Sequence, residues 1–173
     1  MCPETVAQGY EIAGPLTFLK LEPGKTLPGA EAISVTRGDA AVALAALDRV
    51  ATGLDRAKAV AAILGVPGAT SATARDAGGA VVGAAAAVPG GGGPTVVGPL
   101  LGSTEVALPL LSQLDDGNGL SLKVPRAADD AFVTSLVDAG FEIAAELNWM
   151  TYEGASVPGD RDLYLGLLHP TLG

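Results

Sequence analysis

Asp76-Ala77-Gly78-Gly79-Ala80-Val81-Val82-Gly83 is the stretch on which the reading of the fold turns. An aspartate followed by paired glycines can take the positive φ that a tight turn requires, which predicts a reversal between a weak strand at 70–75 and a longer one at 80–88. Pro89-Gly90-Gly91-Gly92-Gly93-Pro94 makes the next connection, into a strand at 95–101, so the middle of the chain reads as three antiparallel strands. Downstream, Val106, Leu110, Leu111 and Leu114 fall at helical spacing over 103–114. Residues 120–124 alternate as a strand with one solvated face, and a helix at 127–139 carries Phe132, Val133, Leu136 and Val137 on one side. Two strands at 141–153 and 162–168, joined by a turn-rich 154–159, close the chain.

Upstream of the hairpin, 32–36 alternates as a short strand, and Asp39 is placed to cap a helix through Val50 with a stripe of Val42, Leu44, Leu47 and Val50. A second helix runs from 55 to 64 and ends at Gly65. Residues 12–22 form a further strand, separated from the rest by a linker rich in proline and glycine at 23–30.

The whole chain has 173 residues, enough for one domain with a short appendage. Apolar residues make up 49% and charged ones 17%, so there is enough to bury, while only 4% aromatic content implies a core of small and aliphatic side chains. Net charge is −9 with no basic cluster, which argues against nucleic acid and anionic membrane surfaces as partners. A single cysteine, Cys2, and a single histidine, His169, leave no set for an internal disulfide or a structural zinc, and no metal is expected. Without a signal-like start or an apolar run of membrane length, the expected location is cytoplasmic.

The order β, α, α, β, β, β, α, β, α, β, β over 31–168 resembles the GNAT superfamily of acyl-CoA-dependent N-acyltransferases. Three local features carry the likeness: the 76–83 hairpin, the junction Leu136-Val137-Asp138-Ala139-Gly140-Phe141, and the strand–helix join around Leu100 to Ser103. The resemblance implies an α/β (α+β) GNAT-like fold with a mixed, mostly antiparallel central sheet and helices on both faces. An ungapped internal match of Thr5–Glu22 to Leu136–Glu153 signals duplicated units. On that reading 1–24 is the strand-bearing remnant of a preceding GNAT-like unit, 25–30 a linker, and 31–173 a GNAT-like domain similar to the divergent C-terminal half of tandem acetyltransferases. The strand in 10–22 should then add to the sheet, within the same molecule or exchanged with a neighbour in a homodimer.

The resemblance also implies chemistry at particular positions. The family's pyrophosphate loop falls on Leu100-Leu101-Gly102-Ser103-Thr104-Glu105, making Leu100, Gly102, Ser103 and Thr104 the candidate residues for acetyl-CoA or another acyl-CoA. The basic residue and second glycine of that loop are missing, Glu105 would repel phosphate, and a helix cap with Glu105 in the first turn explains Ser103 or Thr104 better than a cofactor loop does. The tyrosine that protonates the departing thiolate is replaced by Leu136, and by Thr5 in the repeated segment. Asp129 and Asp130 read as helix caps. Asp48, Arg49, Asp55 and Arg56 flank the turn between the first two helices, where the fold lines its acceptor cleft. Asp48 could position an amine, and Arg56 is the second catalytic candidate, with a local ion-pair cluster as the alternative. Asn148, Trp149, Tyr152 and His169 are further polar groups near the C-terminus; Trp149 and Tyr152 fall on opposite faces of a regular strand.

The expected function is transfer of an acyl group from acyl-CoA to an amine of a small molecule. The alternatives are a non-catalytic GNAT-like module binding a ligand or partner, and the same cleft reused for other small-molecule chemistry.

Overall fold

The computed structural model describes residues 9–28, 33–153 and 158–167. Eight strands form one sheet: β1 (Tyr10–Leu21), β2 (Ser34–Arg37), β3 (Thr70–Arg75), β4 (Val81–Val88), β5 (Thr95–Gly102), β6 (Leu120–Val124), β7 (Glu142–Tyr152) and β8 (Tyr164–Gly166). The helices are α1 (Ala41–Thr52), α2 (Ala57–Leu64), α3 (Thr104–Leu114) and α4 (Ala131–Asp138). The strand order is β2-β3-β4-β5-β6-β1-β7, with β8 paired to β5. Among the described residues only β5–β6 is parallel, and every other pairing is antiparallel. The mixed, mostly antiparallel sheet with helices on both faces is therefore the architecture of the chain.

β4 shows how the sequence places those helices. Its Ala84-Ala85-Ala86-Ala87 alternates between two cores, because successive side chains of a strand point to opposite faces. Ala85 and Ala87 pack with Val106, Leu110, Leu111 and Leu114 of α3 and with Phe132, Val133 and Leu136 of α4. Ala84 and Ala86 pack with Leu44 and Ala51 of α1 and Val60 of α2. Methyl side chains let helices approach both faces closely.

Several local expectations change. The buried stripe of α1 is Leu44, Asp48, Ala51 and Thr52, while Val42 and Val50 are exposed, so the helix is rotated relative to the purely apolar stripe. Its rotation brings a carboxylate inward, which an apolar template cannot anticipate. Asp39 lies one residue before the N-cap, Ala40, although its carboxylate still accepts the Ala41 N–H at 3.3 Å. α2 begins at Ala57 and α4 at Ala131; Asp130 caps α4 by accepting the Phe132 N–H at 2.9 Å. β6 is buried on both faces apart from half-buried Lys123, so the solvated face expected from its alternation is absent.

β1 lies inside the sheet, beside the edge strand β7. It pairs with β6 from Thr17↔Val124 to Leu21↔Leu120, and with β7 from Tyr10↔Tyr152 to Lys20↔Glu142. The strands of the two internally similar segments, β1 and β7, thus lie side by side and antiparallel.

β5 and β6 pair only over Thr95–Val97 and Leu120–Leu122. The Gly98–Pro99 peptide, which is cis, follows at once, and proline has no N–H to continue a ladder. The strands part there, and β8 enters the gap: Leu100 pairs with Gly166, Leu101 with Tyr164, and the Leu167 N–H donates to the Lys123 carbonyl at 2.7 Å. The last strand therefore joins β5 and β6 and is not a hairpin partner of β7.

Candidate functional site

α1 ends in a left-handed Gly53 (φ 68°), whose N–H donates to the Arg49 carbonyl. The chain turns there so that Arg56, the residue before α2, reaches back along α1. Arg56 Nε donates to Asp48 Oδ2 at 2.9 Å and Nη2 to Oδ1 at 2.6 Å, a planar two-bond fork. Asp48 is 1% exposed, and an Arg56 Nη2 hydrogen bond of 3.0 Å to the Tyr164 hydroxyl completes the arrangement. The carboxylate raises the already high pKa of Arg56 still further, so the guanidinium stays charged. Burial pushes the Tyr164 hydroxyl up, which keeps it protonated at neutral pH.

A second arginine lies beyond the same ring. The Arg161 guanidinium carbon is 5.6 Å from the Tyr164 ring centroid and 5.7 Å from that of Trp149. Arg56 sits 5.6 Å from the Tyr164 centroid as well, so the side chains run Asp48, Arg56, Tyr164, Arg161, Trp149. Glycines set this spacing. A Cβ on Gly159 would lie 2.5 Å from the Ala51 carbonyl oxygen, and the Asp160 N–H donates to the Val50 carbonyl at 3.0 Å, which locks the segment before Arg161 onto the end of α1. A Cβ on Gly14 would stand 2.7 Å from Trp149 Nε1, so β1 leaves room for the indole.

Of the sequence candidates, Asp48 and Arg56 meet directly, whereas Arg49 is exposed and Asp55 accepts the Ala57 N–H at 3.2 Å as a local cap. Asn148 and Asp129 are exposed. Leu136 is fully buried against α3 and the sheet. Thr5, His169 and the Tyr152 side chain lie outside the described residues.

The loop candidates gather at the other end of the β8 contact. The Leu100 backbone is taken up by Gly166 of β8. Gly102 (φ 131°) pairs with Gly83, and a Cβ there would be 2.6 Å from the Val82 carbonyl oxygen and 2.8 Å from Val106 Cγ2. Its lack of a side chain thus serves close packing of β5, β4 and α3. Ser103 is the N-cap of α3, but its hydroxyl contacts Glu105 Oε2 at 2.6 Å instead of a backbone N–H. Thr104 and Glu105 open onto a cavity of about 440 Å³ whose far wall holds Arg126, Asp130 and Phe132. Arg126 lies 3.5 Å from Asp130 and 3.8 Å from Asp162. Leu101 and Tyr164 pack in the core under α1 and α2, whereas Phe132 of the cavity packs in the core under α3 and α4, so the two groups of candidates lie on opposite faces of the sheet.

Sequence reading missed Tyr164 and Arg161. The one signal was the charged run Asp160-Arg161-Asp162 just before the last strand, which by itself reads as a solvated turn. Arg126 was also missed, being isolated in sequence from the loop it faces.

Among the described residues no helix is long and apolar enough to cross a membrane. No curated protein sequence matches the chain. Several solved structures do. A Pyrococcus horikoshii protein described as an acetyltransferase superposes with a TM-score of 0.71 at 16% identity, over 98% of this chain and 57% of its own. The GCN5-related N-acetyltransferase from Sphaerobacter thermophilus gives 0.63 at 14%, over 90% and 56%, and that from Kribbella flavida 0.56 at 16%, over 87% and 62%. The chain thus spans less than two thirds of each of these proteins, and at such identities the likeness concerns the fold. The family model described as an acetyltransferase (GNAT) domain matches residues 44–166, from the middle of α1 through β8, and on that match the chain belongs to the GNAT acetyltransferase family.

Proposed function

We propose that the chain is an acyltransferase of this family, moving an acyl group from acyl-CoA to the amine of a small molecule. The observation that carries the reading is the cavity beside the β5–α3 join, where Thr104 and the first turn of α3 face Arg126. Arg126 supplies, from across the cavity, the cation that the 100–105 loop lacks, and the first-turn amides of α3 add donors for a diphosphate. Glu105 and the two carboxylates beside Arg126 oppose an anion, so binding is weak and salt-sensitive. Acyl-CoA would bring a thioester whose C–S bond breaks as the amine nitrogen bonds to the carbonyl carbon, the amine proton ending on the thiolate. The chain's own part is binding and orientation, at Thr104 and Arg126 for the donor and near the Asp48–Arg56–Tyr164 group for the acceptor. Asp48, held in the two-bond fork by Arg56, serves there as a positioning residue.

A thermal-shift titration with acetyl-CoA tests the reading, since a ligand of the native state must raise stability by mass action. Melting temperature should rise with acetyl-CoA, rise further in Glu105→Gln, and not respond in Arg126→Glu. A flat response of the unmodified chain at millimolar acetyl-CoA overturns it. The non-catalytic reading is favoured by the buried Leu136 where the family acid stands, and by β8 lying along β5. Acetyl-CoA binding without release of free thiol in the presence of a panel of amines decides for that second reading.

A further inference from the structure

Among the described residues around Tyr164, Arg161 is the cation without an anion. Asp48 is saturated by Arg56, and no carboxylate among the described residues lies within ion-pair distance of Arg161. Its Nε–H is buried with no acceptor among them. A buried donor left unmet is costly, and native structures keep few of them, which makes this one a marker for a group that arrives from outside. The guanidinium is also held in place: Tyr164 and Trp149 flank it, and Gly159 fixes the preceding backbone to α1. Its pKa is lowered, chiefly by burial, with Tyr164 acting to raise it and the Arg56 charge to lower it, so an approaching anion would offset the cost of burying its charge.

We propose that Arg161, stacked between Trp149 and Tyr164, binds a carboxylate of a small-molecule ligand. A planar guanidinium whose Nε–H lacks an acceptor among the described residues matches a planar carboxylate in the same two-bond fork that Arg56 makes to Asp48. One cation balances the single negative charge of a carboxylate better than the double charge of a phosphate. Within the acyltransferase reading, on which this identification of the substrate class rests, the acceptor is an amine that also carries a carboxylate, as an amino acid does.

Trp149 is the only tryptophan of the chain and lies against Arg161, so its fluorescence reports occupancy without any turnover. L-leucine and L-alanine are titrated against the matched amines without the carboxylate, 3-methylbutylamine and ethylamine, and against inorganic phosphate, at constant ionic strength. A saturable change in emission is expected with the amino acids only. It should weaken at least about tenfold in Arg161→Gln, with the melting temperature of the ligand-free protein little changed. An equal response to the amines or to phosphate, an unchanged affinity in Arg161→Gln, or no response to the amino acids overturns the proposal. Acetyl-CoA plays no part in the measurement, so failure of the transferase reading shows in the thermal shift and failure of the carboxylate site shows here.

Discussion

At the scale of single residues, Asp48 and Arg56 neutralise each other. The carboxylate is 1% exposed and the guanidinium 20%, so removing either partner strands a charge. Breaking a fully buried pair costs about 3–5 kcal/mol, and partial exposure of Arg56 reduces this to about 2–3 kcal/mol for Asp48→Asn. Thermal and urea unfolding should show that loss, and the Asp48→Ala/Arg56→Ala double variant should recover part of it. A variant that melts like the parent would mean that the fork contributes little to the fold. Tyr164 gives a second test. Burial raises its pKa, so the native state keeps a proton that the unfolded chain releases near pH 10, and stability falls as pH climbs from about 10 toward the native value. Tyr164→Phe keeps the ring, loses about 1 kcal/mol of hydrogen bond to Arg56 at neutral pH, and flattens that alkaline decline. Lys123, pulled down by burial, works in the opposite sense but equally in both proteins, so the difference between their pH–stability curves isolates Tyr164.

At the scale of elements, close approach of β4, β5 and α3 depends on two glycines. A Cβ on Gly83 would lie 2.5 Å from Val106 Cγ2, and one on Gly102 would strike the Val82 carbonyl oxygen at 2.6 Å. Gly83→Ala is expected to cost about 1–3 kcal/mol by overpacking, and Gly102→Ala more, because its φ of 131° is unfavourable for any side chain. Urea midpoints would measure both. A larger substitution such as Gly102→Glu disrupts the sheet before it can report on an anion, which is why Arg126 and Glu105 are the positions for testing the cofactor. Had Gly102 been free of neighbours, its variant would have been a clean binding probe; the ladder to Gly83 removes that option.

At the scale of the molecule, β1 stands between β6 and β7, and β7 has no other partner among the described strands. Leu16, Leu19 and Leu21 put β1 into both cores. Deleting residues 10–22 therefore removes the seam of the sheet, not an appendage. The expected outcome is loss of a cooperative unfolding transition, or a clear fall in the urea m-value together with lower solubility. A shortened protein with an unchanged m-value and melting temperature would show that β7 docks without β1. Leu19→Ala, milder, should cost about 2–5 kcal/mol while leaving the fold intact.

The order of elements was legible because it rests on local signals: the Asp76-Ala77-Gly78-Gly79 turn, the helical spacing of Val106, Leu110, Leu111 and Leu114, and the alternation of Leu120 to Val124. Such periodicities identify the type of an element, but the face it buries is settled by its neighbours, as the rotated α1 and the doubly buried β6 show. The match between 5–22 and 136–153 even marked two strands that turn out to be neighbours. Polar burial was not legible, since the inward rotation of Asp48 depends on an arginine eight residues on and a tyrosine 116 residues away. The parting of β5 and β6 was half visible in Gly98-Pro99, yet the strand that fills the gap comes from the far end of the described chain. Sequence by itself determined the elements, the fold family and the pair Asp48 and Arg56 as candidates. Only the tertiary structure decided that the two bond to each other and that Arg161, beside them, has no carboxylate partner among the described residues, because charge pairing depends on distances in space that local sequence does not encode.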